Sequence, residues 1–125
     1  MLSYELCKKL KDAGFEQKED NVFLWVQHYT LSEDDTGWEK QGIDLVYSEE
    51  CDHEEYGGWH EELCICPTLS ELINACGDQF YSVVYASDDD WRCFSERKGG
   101  NMDIAYGYSA EEAVANLYLA LNPIK

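Results

Sequence analysis

Five side chains of the kinds that bind metal ions fall within sixteen positions: Cys51, His53, His60, Cys64 and Cys66. Thiolate sulfur and imidazole nitrogen are the usual donors to zinc. The spacing departs from the C-x₂₋₄-C turns of zinc modules, because Cys64 and Cys66 on a strand place both sulfurs on one face. A metal-stabilised structural or assembly protein is therefore the alternative reading of this group, set against buried thiols and surface histidines. Cys51 with His53, and Cys64 with His60, also have the composition of a nucleophile and its base. The carboxylates around them oppose that chemistry, since a second negative charge is disfavoured beside the first and the thiol pKa rises. The expectation is a protein with no catalytic residues and no cofactor.

Carboxylates are the more abundant chemical group. Between Gln41 and Trp91 there is no lysine or arginine, yet there are thirteen acidic residues, and the formal net charge of the whole chain is −17. Consecutive acids in a turn are usually solvated, and Asp88-Asp89-Asp90 lacks the Asp-x-Asp-x-Asp-Gly spacing of a calcium loop. Aromatic residues enriched among acids suit an interface instead, where rings anchor and a carboxylate rim speeds encounter with a basic surface. The expected partner-binding residues are Glu49, Glu50, Asp52, Glu54, Glu55, Tyr56, Trp59, Glu61, Glu62, Asp88, Asp89 and Asp90. Tyr81 and Tyr85, on a strand pattern, are expected in the core. Direct nucleic-acid binding is not expected, because it depends on Lys and Arg displacing counterions from phosphates. Lys8, Lys9 and Lys11 read as a solvated helix face.

These residues must be positioned by a folded domain, for 45% apolar content with 14% aromatics is too rich for a charge-expanded polymer. Three helices are signalled. The first runs from about Ser3 to Ala13, with Leu6, Leu10 and Ala13 on one stripe and Gly14 as its stop. Thr68 and Glu71 make a capping-box pair ahead of Leu69, Leu72, Ile73 and Cys76, with Gly77 closing the second. Ser109 and Glu112 open the third, whose stripe is Val114, Leu117, Tyr118 and Leu121 and whose stop is Asn122-Pro123.

Between the helices the period changes to two. Strands are expected at Val22 to Tyr29, around Ile43-Leu45-Tyr47, at Gln79 to Ala86, Trp91 to Ser95 and about Asp103 to Tyr108, with a short one at Leu63 to Cys66. Ser87 to Asp90 reads as a hairpin turn. The expected fold is α+β, a single domain over 1–125 with a mostly antiparallel sheet of about four to six strands and the three helices mainly on one face. Acidic surface loops are expected near 31–42 and 48–62.

Three segments, Leu2-Ser3-Tyr4-Glu5-Leu6 through Phe15, Cys66-Pro67-Thr68-Leu69-Ser70-Glu71-Leu72-Ile73 through Asp78, and Ser109-Ala110-Glu111-Glu112-Ala113-Val114-Ala115-Asn116-Leu117 through Asn122, together resemble a group of small uncharacterised phage and prophage proteins. The resemblance covers about a third of the chain, mostly on helices. It implies a viral genomic setting and gives no catalytic residues to carry over.

The longest apolar runs fall short of the roughly 20 residues that a membrane span needs. The N-terminal residues have no secretory pattern of charged leader, apolar run and small-residue cleavage site. The expected location is the cytoplasm, that of the host cell in a phage setting, with reduced thiols. The expected function is that of a non-enzymatic accessory protein binding a basic host protein. A DNA mimic that obstructs a nucleic-acid-binding defence protein, of the anti-restriction or anti-CRISPR type, is the form this would take.

Overall fold

A computed structural model describes residues 2–17, 22–33, 37–47, 59–96 and 103–124. The chain divides into two compact units, Glu16–Cys66 and Met1–Phe15 with Pro67–Lys125.

In the Glu16–Cys66 unit, β1 (Phe23–Leu31) is the centre of a three-stranded antiparallel sheet flanked by β2 (Trp38–Tyr47) and β3 (Trp59–Cys66). β1 combines β-branched and aromatic side chains with an alternating buried set, Leu24 and Val26, joined by buried Val22, Cys64, Ile65 and Cys66. The Ile65 amide donates to Gln17 Oε1 at 2.9 Å, tying the segment before β1 to β3. The ladder slips twice. One irregularity lies between His28 and Tyr29 against β2, the other between Trp25 and Val26 against β3.

The loop expected over 31–42 is corrected by this pairing, since Trp38, Glu39 and Lys40 are ladder residues opposite Leu31, Thr30 and Tyr29. β2 is an edge strand whose first seven residues are all exposed, so no apolar alternation marks its first half, before Ile43-Leu45-Tyr47. Likewise β3 begins at Trp59, before the expected Leu63, and takes in the acidic Glu61 and Glu62. Residues 48–58 of the second expected loop lie outside the described residues.

The other unit holds all three helices and a second antiparallel sheet, β4 (Phe80–Ser87), β5 (Asp90–Ser95) and β6 (Ile104–Gly107), in that order. Two three-stranded sheets thus stand in place of the expected single sheet. β1 and β5 each have both edges occupied by strands of their own unit.

Each helix starts where its polar side chains dictate. Ser3 caps α1 (Tyr4–Asp12), Ser109 caps α3 (Ala110–Leu121), and at α2 (Leu69–Cys76) Thr68 and Glu71 exchange both hydrogen bonds of a capping box. Thr68→Ala is expected to destabilise the protein by about 1 kcal/mol, read as a lower urea midpoint at unchanged slope. α1 ends at Gly14, whose φ of +96° lets Phe15 N–H return to the Leu10 carbonyl.

α3 is the organiser of this unit. It lies against β4, β5 and β6, while α1 and α2 pack against α3. Ala113, Val114, Ala115 and Leu117 are fully buried, with Leu10, Leu72 and Cys93. Phe15 meets Tyr118 edge to face with centroids 5.2 Å apart. Gly107 at the end of β6 touches the first turn of α3 so closely that a Cβ there would meet the backbone of Glu112 and Ala113. Among the described residues, no helix is long and apolar enough to cross a membrane.

Candidate functional site

Where β4 turns into β5, Asp88 and Asp89 form the turn, and Asp89 takes a left-handed φ of +57° that short polar side chains tolerate. The turn brings Asp89 and Asp90 beside the junction of β6 and α3. There an open cleft of about 300 Å³ is lined by Asp89, Asp90, Tyr106, Gly107, Tyr108 and Glu112. Three carboxylates and two tyrosine rings share one concavity. Tyr108 is 74% exposed and Tyr106 55%, so both side chains reach solvent.

The strand that carries Tyr106 is held to the helix that carries Glu112. Asn116 Nδ2 donates to the Tyr106 carbonyl at 2.7 Å, pinning β6 to α3. Glu112 is in the first turn of α3, where the positive end of the helix dipole favours its negative charge.

One cation of the chain shows the chemistry this surface offers. Arg92 donates to Asp90 Oδ2 at 3.2 Å and lies 5.6 Å from the Tyr106 ring centroid, a carboxylate and a π face acting on one guanidinium. The Asp90 hydrogen bond and charge raise the Arg92 pKa. Among the described residues Asp89 and Glu112 have no such cationic partner. Tyr85 donates to Asp88 Oδ1 at 2.6 Å, and this bond, with desolvation and the Asp89 charge behind it, raises the phenol pKa. The phenol therefore stays a donor.

Tyr81 and Tyr85, expected in the core, are instead 60% and 56% exposed. β4 is an edge strand; Tyr81 falls inside the register shift between Phe80 and Ser82, and Tyr85 stands at the end of the regular pairing, opposite Trp91.

Of the other expected partner-binding residues, Glu61 and Glu62 are on β3. Glu61 pairs with Gln27 and Glu62 with Val26, so as ladder neighbours they project to opposite faces of their sheet. They belong to a different compact unit from Asp88, Asp89 and Asp90. Trp59 begins β3 opposite Tyr29. Glu49, Glu50, Asp52, Glu54, Glu55 and Tyr56 lie outside the described residues, as do Cys51 and His53 of the metal alternative.

The remaining metal candidates are separated by a bulge. Cys66 opposes Phe23 and Cys64 opposes Trp25, but the next pairs are Glu62 with Val26 and His60 with His28. The extra residue, Leu63, inverts the alternation, leaving His60 on the face opposite Cys64 and Cys66. The Cys64–His60 nucleophile pair is parted by the same step. Elsewhere, burial raises the thiol pKa of Cys76 to about 11 and of Cys93 to about 12, so both stay protonated near neutrality and neither is an activated nucleophile.

Sequence reading missed Tyr106, Tyr108 and Glu112. Only the flanking of Gly107 by two tyrosines, just before the Ser109 cap, hinted at them. No family model, curated protein or solved structure matches the chain in comparisons with known proteins.

Proposed function

We propose that this is a binding protein without catalytic activity, whose acidic and aromatic surface takes hold of a basic protein. The observation that carries the reading is the cleft in which Asp89, Asp90 and Glu112 share walls with Tyr106 and Tyr108. Carboxylates attract and orient a cationic side chain, and the ring faces add cation–π attraction to a guanidinium or ammonium. A chain of net charge −17 reinforces this by steering basic partners toward it and repelling polyanions.

In the phage or prophage setting implied by the resemblance, the partner is a host nucleic-acid-binding defence protein, and the carboxylates substitute for backbone phosphates. The test is retention of a basic protein from host lysate on the immobilised chain, its release by salt, and its displacement by duplex DNA. An Asp89→Asn, Glu112→Gln double variant is expected to weaken that complex by roughly tenfold at low salt, about 0.5–1 kcal/mol for each charge removed. Asparagine suits the test because it tolerates the left-handed backbone at residue 89. Retention unaffected by salt, by DNA and by the double variant would refute the reading.

A further inference from the structure

The sheet of the Glu16–Cys66 unit carries a second group of donors that the proposed function does not use. His28 on β1 and His60 on β3 are ladder partners, so both imidazoles project from the same face. Two residues along β1, Val26 is paired with Asp44 on one side and Glu62 on the other, which puts both carboxylates on that face as well. Opposite His28 on β2 is Gly42, where a Cβ would meet nothing within 4 Å, so the space beside the imidazole is open. Val26 itself is fully buried, giving the cluster an apolar neighbour.

The distances match those between ligands of one ion. His28 Nε2 is 3.2 Å from Asp44 Oδ2. In a tetrahedral site with metal–nitrogen and metal–oxygen bonds of about 2.0–2.1 Å, two donor atoms are separated by roughly 3.3 Å. The His28 and His60 ring centroids are 5.9 Å apart with their planes at 67°. Two imidazoles on one such ion hold their centroids roughly 5–6 Å apart. As the side chains stand, no three donors among the described residues close on a single point. His28 and Asp44 already stand at the separation of two ligands of one ion, and His60, their half-buried ladder neighbour on β3, would have to turn its imidazole and give up its present contacts to join them.

We infer that His28, His60 and Asp44 form a site for a divalent transition cation of the zinc class, with Glu62 at hand as a fourth ligand. Imidazole and carboxylate suit that ion class, which needs neither the thiolates of β3 nor residues outside the sheet. Its consequence is mechanical, since one ion would link β2, β1 and β3 side to side across a ladder interrupted by a register shift on each flank of β1.

The experiment is titration of the whole chain with Zn²⁺ against a chromophoric chelator, together with Co²⁺ substitution as a spectroscopic probe. The expected result is a Co²⁺ spectrum of nitrogen and oxygen ligation without thiolate charge-transfer bands, and a Zn²⁺ affinity that falls at least about tenfold in His28→Gln and in His60→Gln. Asp44→Asn is expected to weaken binding in the same direction. All three side chains reach solvent, and circular dichroism of each variant checks that the fold is kept. Absence of Zn²⁺ binding, wild-type affinity in the two histidine variants, or a thiolate band in the Co²⁺ spectrum would each overturn the site. None of these results depends on the basic partner, so the cleft stands or falls separately.

Discussion

Gly107→Ala is expected to destabilise the protein by about 3 kcal/mol. The methyl group would be placed 2.8 Å from the Glu112 carbonyl carbon and 2.9 Å from Ala113 Cα, and closer still to the Ala113 amide nitrogen. All three are backbone atoms in the first turn of α3, so no side-chain rotation relieves the clash. Either α3 lifts from the end of β6 or the strand end bends away. Both movements disturb the most extensively packed helix of the unit. The Gly107 backbone is not left-handed, so the effect arises from contact and not from φ/ψ strain.

The measurement is urea denaturation followed by circular dichroism. A midpoint change equivalent to less than about 0.5 kcal/mol, the range of a neutral surface substitution, would contradict the close approach. Because Gly107, Tyr108 and Glu112 all line the cleft, the same variant is expected to lose the basic partner along with stability.

Leu117→Ala is expected to cost about 3–4 kcal/mol. The side chain is fully buried in the middle of α3, the helix that contacts all three strands of its sheet and both other helices. Truncation removes apolar area and leaves a cavity that surrounding elements, tied to one another through α3, cannot collapse to fill. Against a total stability of roughly 5–15 kcal/mol this is a large fraction. The check is chemical denaturation with Ile124→Ala alongside. Ile124 is 52% exposed, so that substitution is expected to stay within about 0.5 kcal/mol. Equal effects at the two positions would show that α3 does not carry the core.

The three helices were legible in the sequence because their determinants are local. Ser3, Thr68 with Glu71, and Ser109 satisfy amide groups no more than three residues away, and the apolar stripes behind them report one face of each helix. β1, β4, β5 and β6 were legible for a similar reason, as short runs of the β-branched and aromatic residue types that pack on a pleated surface. The acidity of the chain is a matter of composition.

Only tertiary structure decided the rest. The first half of β2 is polar because an edge strand there has no core to face, and its strand state rests on the ladder with β1. Which donors share a surface was decided by ladder register. The extra residue at Leu63 sends His60 away from Cys64 and Cys66 and toward His28 and Asp44, a reversal that one-residue alternation cannot reveal until the partner strand is present. The cleft likewise exists because a turn at Asp88 and Asp89 meets the start of α3 across β6, bringing Asp89 to Tyr106, Tyr108 and Glu112. Side chains separated along the chain acquire a common chemistry only when backbone pairing fixes their distance, and pairing is a property of two strands, whereas capping and composition belong to one segment.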